Sequence, residues 1–151
     1  MTLETILLAV GPGDAERTSE LAEAVIEVGR PAGSTVVLGH VFTQDEYDDV
    51  LERLAFDPDA EAVDPDDVAG RHATIRDLRR LLEDAGVEYV IRGAVGDHGR
   101  TIVDLATDVD ADRVIVGGRK RSPTGKAVFG STAQEVLLSA PCPVTFVRGG
   151  E

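Results

Sequence analysis

Residues 112–134 read DRVIVGGRKRSPTGKAVFGSTAQ, and the order of residue types in this stretch decides the fold class. Val114-Ile115-Val116 is short, apolar and β-branched, as strands buried on both faces are. Gly117 and Gly118 end the run. A segment of glycine, proline and cations follows, and then Ala133, Val136, Leu137 and Ala140 recur with the spacing of one helix face. Strand, loop and amphipathic helix in that order are the repeating unit of a parallel α/β sheet.

The same unit recurs on the N-terminal side. Ile6 to Val10, Val36 to Val41 and Tyr89 to Ile91 are further strand candidates, and Val144 to Val147 closes the series after the last helix. Between them, Leu21, Val25 and Val28, then Ile75, Leu78 and Leu82, then Ile102, Leu105 and Val109 mark helix faces. Asp14 is placed to cap the first helix, Gly33 and Gly86 stand where helices end, and Asp97 precedes the third helix. The prediction is one domain over residues 1–151: an open, five-stranded parallel sheet with helices on both faces, Rossmann-like. Thr43 to Asp67 breaks the rhythm. It is crowded with Asp and Glu and carries Pro58 and Pro65, which predicts a short helix around Tyr47 to Leu54 and then an acidic flexible link.

Charge narrows the choice of partners. Asp and Glu number 28 against 15 Lys and Arg, a formal net charge of −13. Nucleic acid and anionic membranes would be repelled over most of such a surface, so neither is expected as a partner. Lysine occurs only at Lys120 and Lys126. Many carboxylates with few lysines suit a salt-adapted, halophilic host, where screening shortens the Debye length to about 3 Å at 1 M salt. No run approaches the roughly 20 apolar residues of a membrane span, and Ile6 to Val10 is too short for a signal-peptide core, so a cytoplasmic location is expected. Cys142, the single cysteine, sits between Pro141 and Pro143 and reads as a small packing residue.

In open α/β sheets, ligands bind beyond the carboxyl ends of the strands. The loops that would line such a crevice are Gly11-Pro12-Gly13, the chain from Phe42, Gly93 to His98, and Gly117 to Phe129. The last is much longer than the usual 2 to 6 residues or so of a strand-to-helix connection. It concentrates Arg119, Lys120, Arg121 and Lys126 in an otherwise acidic chain, which points to an anionic ligand. Gly130 and Ser131 then open the last helix, whose free N–H groups and positive dipole end favour a phosphate. A second reading competes: Ser131-Thr132-Ala133-Gln134 is a capping box, in which Ser131 and Gln134 satisfy the helix end with no ligand.

From Thr5 to Arg148 the chain resembles the universal stress protein family. The likeness is carried by Ile6-Leu7-Leu8-Ala9-Val10, Gly39-His40-Val41, Gly96-Asp97, Asp112 to Gly118, Gly130-Ser131-Thr132 and Pro141-Cys142-Pro143-Val144. It implies an adenine nucleotide alpha hydrolase-like sheet of strand order 3-2-1-4-5 and a stress-response regulatory role. ATP-binding members carry a glycine, two residues, a glycine, nine residues, then glycine and serine or threonine; Gly117 and Gly130-Ser131 fit the outer positions. Lys120 replaces the second glycine, and Gly11 stands where the family often has aspartate. The resemblance implies ATP or AMP as ligand, with Mg2+ only alongside ATP. Val41 would lie beside the base; Gly117, Gly118, Arg119, Lys120, Gly130, Ser131 and Thr132 near the phosphates; and Gly11, Pro12 and Gly13 on the opposite wall. It also implies a homodimer, joined through the last strand at residues 143–148, whose apolar edge needs cover.

Other signals are weaker. Thr124-Gly125-Lys126 is no P-loop, because Ala127 replaces the required Ser or Thr. His40, His72 and His98 show no metal-ligand spacing and read as structural, with a catalytic His98 as a minor alternative. The runs Asp45 to Asp49 and Asp64 to Asp67 read as solvated acidic surface before they read as a cation site. No catalytic or metal residue is assigned. Besides the nucleotide-binding reading, two others stand: an interaction module of the same fold that has lost nucleotide binding, and a slow nucleotide hydrolase or transferase using Lys120 or Lys126.

Overall fold

A computed structural model describes residues 3–53, 64–118 and 130–148. In chain order the elements are β1 (Thr5–Val10), a 3-10 turn (Pro12–Arg17), α1 (Thr18–Ala32), β2 (Thr35–Phe42), α2 (Gln44–Arg53), α3 (Pro65–Gly70) and α4 (Ala73–Asp84). β3 (Tyr89–Val95), α5 (His98–Asp108), β4 (Arg113–Gly118), α6 (Ser131–Ser139) and β5 (Val144–Arg148) follow. The five strands are all parallel, in the order β3-β2-β1-β4-β5.

Period-two alternation builds two cores from the same strands. Ile6, Leu8, Val10, Val36, Leu38 and Ile115 face one side, where Leu21 and Val25 of α1 and Ile75, Leu78 and Leu82 of α4 cover them. Leu7, Ala9, Val37, Val41, Val114 and Val116 face the other, under Ile102, Leu105 and Ala106 of α5 and Ala133 and Val136 of α6. Because β1 lies between β2 and β4, the direction in which successive strands are added reverses beside β1, and a crevice opens there beyond the carboxyl ends.

Gly33 and Gly86 end their helices in the left-handed region, at φ of 69° and 72°. Asp97 caps α5, its carboxylate accepting from the Arg100 N–H at 3.4 Å. The cap expected from Asp14 is not made. α1 starts after Arg17 with no side-chain cap, because the 3-10 turn intervenes and turns Asp14 back onto Gly11. β3 runs to Val95 rather than stopping at Ile91, since Arg92 to Val95 continue the ladder against Gly39 to Phe42.

The acidic stretch has structure at both ends, and residues 54–63 lie outside the described residues. Thr43 and Glu46 form a reciprocal cap on α2: Thr43 Oγ1 accepts from the Glu46 N–H at 3.2 Å, and Glu46 Oε1 accepts from the Thr43 N–H at 2.8 Å. Tyr47 is buried against Phe42, Val68 and Ala69. Asp64 caps α3, and Asp66 Oδ1 accepts from the Gly93 N–H at 2.6 Å. Helix α3 therefore lies on β3, so close that a Cβ on Gly93 would collide with the Pro65 carbonyl.

Candidate functional site

A cleft of about 420 Å³ occupies the crevice where β1 and β4 end. Its inner wall is apolar, built from Ala9, Val41, Ile102, Val116 and Ala133. Ala9, Val41 and Val116 are the strand positions on the α5/α6 side, so the alternation that fills the second core also floors the cleft. Gly117, Gly118, Gly130 and Thr132 from the end of β4 and the start of α6, and Gly11, Gly13, Asp14 and Arg17 from the turn after β1, complete the lining.

Seven predicted site residues thus converge: Gly11, Gly13, Val41, Gly117, Gly118, Gly130 and Thr132. Pro12 belongs to the 3-10 turn, and Ser131, exposed at the start of α6, does not line the cleft. Arg119 and Lys120, with Arg121 and Lys126, lie outside the described residues.

The capping-box reading of Ser131 fails here. Gly130, with extended backbone, is the N-cap of α6, and no side chain caps it, because Ser131 has already entered the first helical position. The Gln134 N–H is satisfied by the Gly130 carbonyl at 3.0 Å. Gly130 is also glycine without a local reason: its φ of −62° suits any residue, and a Cβ there would meet nothing within 4 Å. Space and free helix N–H groups therefore coincide at the start of α6.

The part of the lining that comes from the turn after β1 is set by a residue pair that sequence reasoning did not place. The Asp14 carboxylate, 6% exposed, accepts from the Gly11 N–H at 2.6 Å and is ion-paired with Arg17 Nη1. Nη1 also donates to the Gly13 carbonyl at 3.0 Å. Gly117 is glycine because of this pair: a Cβ would come to 2.8 Å from Arg17 Cδ and 2.9 Å from Asp14 Oδ1. Gly118 is constrained from the other side by the Phe146 ring, 2.6 Å from where its Cβ would lie. The i,i+3 spacing of Asp14 and Arg17 was the available signal, but it becomes a wall only because the turn tucks under β4.

The three histidines occupy different sites. His98 lies on the cleft rim, with Nε2 2.7 Å from Glu46 Oε1. Burial opposes ionisation of Glu46, yet its bonds to the Thr43 N–H and His98 outweigh that and hold its carboxyl below the ordinary range. His72 caps α4, its Nδ1 accepting from the Thr74 N–H at 3.3 Å. His40 is buried between the rings of Phe42 and His72. Among the described residues no cluster of three or more His, Cys, Asp or Glu is placed to hold a metal ion, and no helix is long and apolar enough to cross a membrane.

Comparison with known proteins agrees with this architecture. The model of the universal stress protein family matches residues 2–148. A curated universal stress protein of Mycolicibacterium smegmatis is 37% identical over 79 residues, which are 52% of this chain and 61% of that protein. The chain spans less than two thirds of the length of the curated relatives it matches. Among solved structures, one from Archaeoglobus fulgidus is 29% identical, with a TM-score of 0.65 over 96% of this chain and 98% of its own. A family protein of Arabidopsis thaliana, 15% identical, shares the fold at a TM-score of 0.67 over 97% of this chain and 92% of its own.

Proposed function

Because the chain belongs to the universal stress protein family, we propose that it is a cytoplasmic stress-response regulator that binds ATP, AMP or a related adenine nucleotide in the β1/β4 cleft. The observation that carries the reading is the pairing of an apolar pocket with an uncapped helix start on its rim. A base fits the wall of Val41, Ile102 and Val116, and phosphate oxygens fit the free N–H groups of α6 beside Gly130. The space that a Cβ on Gly130 would occupy supports a close approach of ligand there. Arg119, Lys120 and Ser131 are near that rim in sequence and are proposed as further donors to the phosphates. Mg2+ would enter only with ATP, as the counter-ion of its phosphates. Solved proteins of the same fold were crystallised with cAMP, dAMP and AMP, which supports the ligand class.

The regulator is proposed to act as an isologous dimer through β5. Among the described residues β5 pairs only with β4, leaving its other edge without a strand, and Leu137 and Leu138 of α6 add exposed apolar surface, the latter 78% exposed. Occupancy of the cleft would then bias the shape that the dimer offers to its partners.

Calorimetric titration with ATP and AMP, with mass spectrometry of whatever the freshly purified protein releases, tests the reading. Saturable binding of either nucleotide is expected. No heat with both, and release of inorganic anion alone, would replace it by the interaction-module reading.

A further inference from the structure

The cleft contains a guanidinium whose donors are only partly used. Arg17 leaves the 3-10 turn and lies along the wall against Gly117, its side chain 12% exposed. Nη1 is committed to the Asp14 carboxylate and the Gly13 carbonyl. Nε is shut away from solvent without an acceptor, and Nη2 has none among the described residues. A guanidinium presents five N–H donors in a planar fork, and the two on Nη2 are charge-assisted donors suited to an oxyanion. Nε, which water cannot reach, is closed to a ligand oxygen of similar size as well, so Nη2 is the nitrogen left to donate to something that enters the cleft.

Asp14 prepares this group. By holding Nη1 from one side it fixes the plane of the fork, so little rotamer freedom remains to be lost on binding. It also neutralises the wall, and attraction at long range is therefore weak. Discrimination must come from contact, by hydrogen bonds that an uncharged ligand does not form. Gly117 makes the arrangement possible, since any side chain there would displace Arg17.

We propose that Arg17, oriented by Asp14, is the residue with which this cleft recognises a ligand's phosphate, so that it takes nucleotides in preference to bare nucleosides. The inference rests on the nucleotide reading above and assigns the recognition to the turn after β1, rather than to the cationic residues that the sequence singles out.

The test is calorimetry of AMP, adenosine and inorganic phosphate with the parent protein and Arg17→Gln. Charge-assisted bonds of this kind predict that AMP affinity drops about tenfold to a hundredfold in the variant, while adenosine affinity stays within about twofold. Inorganic phosphate should compete with AMP in the parent and much less in the variant. Because Arg17→Gln leaves Asp14 buried without its partner, the double variant Asp14→Asn, Arg17→Gln is measured beside it and should show the same selective loss. Equal losses of AMP and adenosine would make Arg17 a structural wall and overturn the proposal, as would unchanged AMP affinity or a parent that binds both alike. A parent that binds neither refutes the nucleotide reading itself, and this inference falls with it.

Discussion

Lowering the pH from 7 towards 4 should withdraw stability through His40, by an amount that follows from where its ring sits. His40 is 4% exposed, the rings of Phe42 and His72 are each centred 4.4 Å away, and its Nδ1 has no hydrogen-bond partner. Burial, and after it the proximity of His72, hold the imidazole down at about 4 from an ordinary 6.5; a bond to the Val10 backbone and the charge of Glu46 oppose this, and His98 adds a little to it. In the unfolded chain the ring takes up its proton near pH 6.5, whereas in the folded chain it does so only near pH 4. Between those values the unfolded state binds more protons, so stability falls as the pH falls, starting near 6.5 and ending near 4. A displacement of that size is worth about 3 kcal/mol, a large part of the 5–15 kcal/mol or so that holds a typical domain together. Urea unfolding, followed by circular dichroism from pH 7.5 to 4.5, should show this loss in the parent. His40→Leu should lose less over the same range, by up to about 3 kcal/mol, although His72, whose pKa burial also lowers, keeps its own contribution. Parallel pH profiles for parent and variant, or an NMR titration of the His40 ring with its midpoint near 6.5, would refute the reasoning.

Alanine at Gly117 would set its Cβ 2.8 Å from Arg17 Cδ. Thermal unfolding should register a loss of about 1–3 kcal/mol, with weaker nucleotide binding, and full stability would mean that the wall yields freely. Leu138→Glu changes a side chain that is 78% exposed. It should leave monomer stability within about 0.5 kcal/mol while light scattering moves towards the mass of one chain; an unchanged mass would take α6 out of the interface. With 28 acidic residues against 15 basic ones, the urea midpoint should climb as KCl rises from low to molar concentration, because screening relieves self-repulsion. A midpoint indifferent to salt would argue against a salt-adapted host.

Carboxylates were the residues hardest to interpret from sequence. Asp14 reads as a helix cap and is instead a buried strut between Gly11 and Arg17. Asp66 reads as solvated surface, yet it accepts from the Gly93 N–H, 27 positions away. Asp112 accepts from the N–H groups of both Glu4 and Thr5, more than 100 positions away, and so ties the starts of β4 and β1 together. An acidic side chain has the same local signature whether it meets water or a distant backbone donor. Ser131 shows the converse error: the capping-box pattern is present, but Gly130 takes the cap position because its own extended backbone suffices.

What the sequence alone determined is the set of properties that depend on near neighbours. The apolar runs of β1, β2 and β4 alternate between two faces whatever packs against them, and Gly33, Gly86 and Asp97 end or start helices by their own backbone and side-chain chemistry. Only the tertiary structure decided which wall each cleft residue belongs to. Asp14 and Gly117 meet because β1 and β4 are adjacent in the sheet, and His98 reaches Glu46 across 52 positions because α2 and α5 begin at the same end of it. Such contacts are set by strand order, and strand order is an energetic property of the whole packed sheet that no window of sequence contains.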